Sequence, residues 1–99
     1  MIRMLIADDN EAITKILAGF ARREGYEVTT VADGAAALAE FARRPYDIVL
    51  LDVMMPKKDG FAVCRELRTA SNVPILMITA RGEDYDRIMG LDIGAADYI

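Results

Sequence analysis

Asp47-Ile48-Val49-Leu50-Leu51-Asp52 is an apolar run held between two acids, the pattern of a central parallel strand whose two faces are both covered by helices. Its last residue, Asp52, then lies at the strand's carboxyl end. Toward the start of the chain, Ile2–Ala7 is a second apolar run broken only by Arg3, and Asp8-Asp9-Asn10 lead from it into a segment with Ile13, Ile16, Leu17 and Phe20 at helical spacing. Strand, turn and amphipathic helix follow from that order. Gly25 comes directly after Arg22, Arg23 and Glu24. The helix is therefore expected to end there, with glycine in the left-handed position and the arginines near the negative end of the dipole. Glu27–Val31 is a short strand. Asp33 can cap a second helix, whose alanines suit close packing against a sheet, and Pro45 stops it.

On the other side of the run, Met54-Met55-Pro56-Lys57-Lys58-Asp59-Gly60 reads as a loop, and Phe61 to Arg68 as a third helix with Val63 and Leu67 on one face. Val73 to Thr79 is a fourth strand with Pro74 near its start, where a missing donor does least harm. Asp84 to Leu91 is a weaker fourth helix, since Gly90 inside it costs about 1 kcal/mol relative to alanine. Gly94 ends it before Asp97-Tyr98-Ile99 begin a fifth strand. Strands alternating with helices across short links give an open parallel α/β sheet, because right-handed crossovers place helices on both faces.

With 99 residues, 54% of them hydrophobic, residues 1–99 are expected to form one globular domain near the lower limit of independent stability. The single cysteine, Cys64, cannot make an internal disulfide. The chain opens at Met1 on a strand-like segment rather than a charged stretch leading into an apolar signal region, so a cytoplasmic location is expected. The apolar runs fall well short of the roughly 20 residues a membrane helix needs, so no membrane association is expected. Net charge is −4, with 16 acidic against 12 basic residues and no histidine. That balance argues against this segment gripping a nucleic-acid backbone. It also removes the commonest transition-metal ligand and general base, leaving carboxylates as the chemical resource.

In open parallel sheets, ligands gather outside the carboxyl ends of the strands. Asp8 and Asp9 end the first strand, Asp52 the third and Thr79 the fourth, so residues far apart in sequence converge on one edge. Clustered carboxylates repel one another unless a cation neutralises them. Magnesium fits an all-oxygen set better than zinc, because it keeps several waters and takes a few carboxylates together with phosphate oxygens. Its charge would offset that building on a transferring phosphoryl group. Each residue alone has a plainer role: Asp8 or Asp9 as a helix cap, Asp52 as a turn former, Thr79 as a strand former. Their joint placement singles them out.

Leu5-Ile6-Ala7-Asp8-Asp9-Asn10, Val49-Leu50-Leu51-Asp52-Val53-Met54-Met55-Pro56, Asp59-Gly60, Met77-Ile78-Thr79-Ala80 and Gly94-Ala95-Ala96-Asp97-Tyr98 together resemble the receiver domain of bacterial two-component response regulators, along the whole chain. The resemblance implies a flavodoxin-like, doubly wound sheet of order 2-1-3-4-5. By the same resemblance, Asp52 is the nucleophile that takes phosphate from a sensor histidine kinase, forming an acyl phosphate. Asp9 and Asp52 would ligate Mg2+ directly, Asp8 through water, and Met54 through its backbone carbonyl. Thr79 would turn its hydroxyl toward a phosphate oxygen. Tyr98 would move from an exposed to a buried rotamer, reporting phosphorylation to the face made by the fourth helix and fifth strand. A helix carrying Gly90 between Gly82 and Gly94 belongs near the less stable end of the local-opening range, where phosphate contacts suffice to bias it.

Arg81-Gly82-Glu83-Asp84 and Asp86-Arg87-Ile88-Met89-Gly90-Leu91 are most similar to the subfamily whose receiver precedes a winged-helix DNA-binding domain. That implies a homodimer through the fourth helix and fifth strand, with Arg87 and Asp97 as interface candidates, and DNA contact only through a C-terminal domain that regulates transcription. Ala96 departs from this subfamily, which commonly has another aspartate there. Receivers of this kind also carry a lysine and a proline shortly after the tyrosine, then a fifth helix. No lysine follows Lys58 in residues 1–99. The resemblance therefore implies a receiver incomplete at its C-terminal end, lacking the last helix and leaving apolar surface uncovered. Two alternatives stand beside the phosphoacceptor. An aspartate-nucleophile phosphohydrolase would place a second acid two residues after Asp52, where Met54 stands. A non-signalling structural fragment is the other.

Overall fold

A computed structural model describes residues 1–53, 55 and 59–78, with Asp97 and Tyr98 described by their backbone. The elements in chain order are β1 (Arg3–Ala7), α1 (Glu11–Arg23), β2 (Glu27–Val31), α2 (Gly34–Arg43), β3 (Ile48–Asp52), α3 (Gly60–Ala70), β4 (Ile75–Ile78) and β5 (Asp97–Tyr98). The strands form one sheet in the order β2-β1-β3-β4-β5, every neighbouring pair parallel. This is the order the resemblance implies. The fourth helix expected over Asp84 to Leu91 lies outside the described residues. So do Met54, Thr79 and Arg87, and the side chains of Asp97 and Tyr98.

The alternation of side chains along a strand divides the sheet's apolar residues into two cores. Leu5, Ala7, Val49, Leu51, Ile75 and Met77 point to one face, where they pack with Ala37 of α2 and with Val63, Cys64 and Leu67 of α3. Met4, Ile6 and Leu50 point to the other, against Ala18 and Ala21 of α1. On this second face Ile48, Leu76 and Ile78 are only partly buried.

Each helix start is set by a side chain that accepts from orphan amides of the first turn: Asn10 for α1, Asp33 for α2 and Asp59 for α3. The end of α1 is as the sequence predicts. Gly25 has φ +90, its N–H donates to the Arg22 carbonyl at 3.0 Å, and Tyr26 N–H donates to the Ala21 carbonyl at 3.1 Å. These are the two bonds of a Schellman turn.

Two element boundaries expected from the sequence are corrected. Gly60 is the first residue of α3, not the last of a loop, because Asp59 caps the helix one residue earlier than the apolar pattern begins. Strand β4 starts at Ile75, after Pro74 and not at Val73, although the Pro74 carbonyl still accepts from Val49 N–H at 3.0 Å. The helical spacing of Ile13, Ile16, Leu17 and Phe20 marks α1 correctly but does not mark its packed side. Ile13, Ile16 and Phe20 are 38%, 59% and 62% exposed, while Ala18 and Ala21 are buried and Leu17 partly so. Small residues bring the helix close to the sheet, and the larger ones turn outward.

Candidate functional site

The register of the sheet assembles the site. Ala7 is level with Leu51 across the β1–β3 ladder, so the next residue of each strand, Asp8 and Asp52, emerges at the same carboxyl edge, with Asp9 one residue further on. One carboxylate oxygen from each of Asp8, Asp9 and Asp52 lies within 4.8 Å of the others. Asp8 is buried at 4% exposure, Asp52 is half-buried and Asp9 is exposed. The set thus runs from the sheet interior to solvent.

Asp8 is held from three sides. Its N–H donates to the Val31 carbonyl at 3.1 Å, its carbonyl accepts from Thr14 Oγ1 at 3.3 Å, and its Oδ1 accepts from Asn10 N–H at 2.9 Å. The capping role that a lone aspartate would take here belongs to Asn10, whose Oδ1 accepts from Ala12 N–H at 3.0 Å and Ile13 N–H at 3.2 Å. Asp8 and Asp9 are therefore not consumed as caps of α1. The positive end of the α1 dipole also faces this edge and favours negative charge there.

Carboxylates this close repel one another, by up to about 3 kcal/mol for a pair shielded from water at an effective dielectric constant of about 20 and by well under that where exposed Asp9 faces solvent. A hard cation removes that repulsion. Two oxygens on opposite sides of one magnesium ion stand about 4.2 Å apart, so three carboxylate oxygens that all lie within 4.8 Å of one another are close enough to share one ion. The all-oxygen donor set and the spacing fit Mg2+.

A cleft of about 220 Å3 opens beside the acid pair on the β2 side, lined by Asp8, Asp9, Glu11, Thr14, Lys15 and the end of β2. Asp52 does not line it, so the convergence of the carboxylates, not this hollow, defines the site. Asn10 and Lys15 were not singled out from sequence. The signal for Asn10 was its place immediately before the first helical residue. Lys15 stands four residues after Glu11, on the same side of α1.

The structure brings together Asp8, Asp9 and Asp52 as the sequence predicts. It places the backbone of Tyr98 in register with Met77, itself in register with Leu51, so β5 stands two strands from the strand that carries Asp52. Elsewhere, Cys64 is fully buried in α3, and burial pushes its thiol above the usual cysteine range. It is not a competing nucleophile.

Residues 4–99 match the family described as the response regulator receiver domain. The sensory transduction protein RegX3 of Mycobacterium tuberculosis is 50% identical over 99 residues, covering 100% of this chain and 44% of its own length. The probable transcriptional regulator ycf27 of Cyanophora paradoxa is 50% identical over 97 residues, 98% of this chain and 41% of its own. The chain thus spans less than half the length of these relatives. Among solved structures, the BeF3-activated N-terminal receiver domain of Klebsiella pneumoniae RstA superposes with a TM-score of 0.94 at 33% identity, covering 98% of this chain and 83% of that one. On fold, carboxylate geometry and sequence alike, this chain belongs to the response regulator receiver domain family.

Proposed function

We propose that Asp52 accepts a phosphoryl group from a phosphohistidine of a sensor kinase, and that residues 1–99 act as the receiver unit of a two-component regulator. The observation that carries this is the convergence of Asp8, Asp9 and Asp52 within 4.8 Å at the carboxyl edge of the sheet. An Asp52 carboxylate oxygen attacks phosphorus, the new O–P bond forms as the P–N bond breaks, and the electron pair of that bond returns to the imidazole. The product is an acyl phosphate on Asp52. Asp9 and Asp52 would hold Mg2+ directly, Asp8 through water and Met54 through its backbone carbonyl. Bound there, the ion would offset charge on the phosphoryl oxygens. Asp8 contributes orientation, since the Asn10 amide and the Val31 carbonyl fix its position.

In the same reading, the Thr79 hydroxyl engages the phosphate oxygen and Tyr98 relays the change to the face of β5. Arg87 and Asp97 contribute to a homodimer through that face, and DNA is contacted only by a further domain. The activity is stoichiometric acceptance and slow release of phosphate, assisted by the domain's own residues, in the cytoplasm. No described helix is long and apolar enough to cross a membrane. The kinase assignment draws on membership of the receiver family, and the transcriptional role on relatives named a sensory transduction protein and a probable transcriptional regulator.

The test is incubation with Mg2+ and a small acyl-phosphate donor, followed by intact mass measurement. One phosphoryl adduct is expected on the wild type and none on Asp52→Asn. An equal adduct on both, or none on the wild type, would falsify the assignment. Sustained turnover of phosphate esters would point to a hydrolase instead.

A further inference from the structure

Gly60 opens α3 at the point where that helix meets the end of β3. It is buried, and a Cβ placed on it would lie 2.3 Å from the backbone oxygen of Asp52, 2.9 Å from its carbonyl carbon and 3.0 Å from Met77 Cε. The first two neighbours are peptide atoms of a strand held in place by its ladder. Asp52 is in register with Ile78, and Val53 N–H donates to the Ile78 carbonyl at 3.0 Å. They cannot swing aside as the end of a flexible side chain would. Gly60 N–H donates in turn to the Val53 carbonyl at 3.0 Å, tying the far end of the β3–α3 connection back to its near end. Asp59 fixes the same turn by accepting from Ala62 N–H at 2.9 Å. Gly19 and Gly25, by contrast, would place a Cβ in open space. Gly25 is the glycine whose φ requires it, whereas Gly60 is required for room.

We propose that Gly60 is a positioning residue for phosphoryl acceptance: the missing side chain lets the first turn of α3 clamp the Asp52 peptide, and the clamp sets the Asp52 carboxylate beside Asp8 and Asp9. This rests on the reading of Asp52 as the phosphoacceptor. A Cβ would force the turn and the strand end apart by at least 0.7 Å, the difference between 2.3 Å and the 3.0 Å that real Cβ contacts essentially never undercut. Misplacing reacting groups by about 1 Å costs on the order of 100-fold in rate.

The decisive comparison is the rate of phosphorylation by a small acyl phosphate at saturating Mg2+ in the full chain, for wild type, Gly60→Ala and Cys64→Ala, each shown to be folded by circular dichroism. Cys64 lies in the same helix with its side chain in the core, so its truncation loosens the packing of α3 while adding no Cβ at residue 60. Gly60→Ala is expected to lower the maximal rate about 10- to 100-fold and to raise the half-saturating Mg2+ concentration, while Cys64→Ala stays within about twofold of wild type. Equal rates in the two variants, or a wild-type rate in Gly60→Ala, would overturn the proposal. If Gly60→Ala does not fold, Asp59→Ala and Tyr46→Phe decide. The first frees the clamping turn and should slow phosphorylation by roughly threefold or more. The second loosens the link between α2 and the amino end of β3, the end away from Asp52, and should leave the rate alone. Matching rates would again refute the idea. A wild type that takes no phosphate defeats the underlying reading, whereas a wild type that does so alongside an unaffected Gly60→Ala defeats only this inference.

Discussion

Asp8 and Asp9 are neighbours in sequence but stand in different surroundings, and their substitutions should differ accordingly. Asp9 is exposed and contributes charge, so Asp9→Asn is expected to weaken Mg2+ binding about tenfold or more. In EDTA the same change should raise Tm by roughly 2–4 °C, since it relieves repulsion worth about 0.5 kcal/mol at a solvated position. Titration calorimetry and thermal melts with and without metal check both signs. Asn10 carries a separate load. Asn10→Ala leaves two amides of α1 without their acceptor and is expected to cost about 1 kcal/mol in urea unfolding. That a strand ends in two acids before a helix was readable from sequence. That neither acid is the cap depended on how the chain turns, because any of three adjacent polar side chains could have reached those amides.

At the scale of elements, α2 and β3 are joined by a buried polar contact that no motif announces. Tyr46 donates its hydroxyl to Glu40 Oε2 at 2.6 Å, Glu40 is also paired with Arg43 at 3.1 Å and Arg44 at 3.5 Å, and the Tyr46 ring stacks on Phe41. Both arginines are more than half exposed, so solvent screens those pairs and the hydroxyl is the contact that matters most. Tyr46→Phe is expected to cost about 1.5 kcal/mol. Burial, then the Glu40 carboxylate, holds the Tyr46 hydroxyl above the usual tyrosine value. A group whose folded value is raised keeps its contribution below the unfolded value and loses it as pH rises from there through the folded value. Wild-type stability attributable to Tyr46 should therefore be intact below about pH 10 and fall above it. In Tyr46→Phe this alkaline step should vanish, as urea midpoints measured against pH will show. On α1, Phe20→Lys is expected to change stability by no more than about 0.5 kcal/mol, whereas Ala18→Leu should cost about 1–3 kcal/mol by overpacking the contact with the sheet. The reverse ranking would mean that the larger residues form the packed face.

For the molecule as a whole, the two cores share one sheet, so opening either face should expose both. Cys64 reports this. Its thiol is fully buried and held protonated by burial, so thiol-reagent modification is expected to follow global unfolding and to slow in proportion to added stability. Saturating Mg2+ at about 100 times its dissociation constant should stabilise the fold by about 2.7 kcal/mol and slow the modification about 100-fold. A modification rate indifferent to Mg2+ would indicate either local opening of α3 or no metal site.

Much of this protein is determined by local sequence. Apolar runs of about five residues, polar helix starts and Gly25 specify strands, helices and their order, because each depends on backbone propensity and short-range hydrogen bonds. The convergence of Asp8, Asp9 and Asp52 followed from the rule that parallel strands present their carboxyl ends on one side. Their separation did not, since it depends on the register of β1 against β3. Tertiary structure alone decided which side of α1 packs, where the Tyr46 hydroxyl goes and why residue 60 has no side chain. Each of those is settled by distances between segments far apart in the chain. Gly60 reads locally as an ordinary turn residue, and only the approach of α3 to the Asp52 peptide leaves no room there for a Cβ.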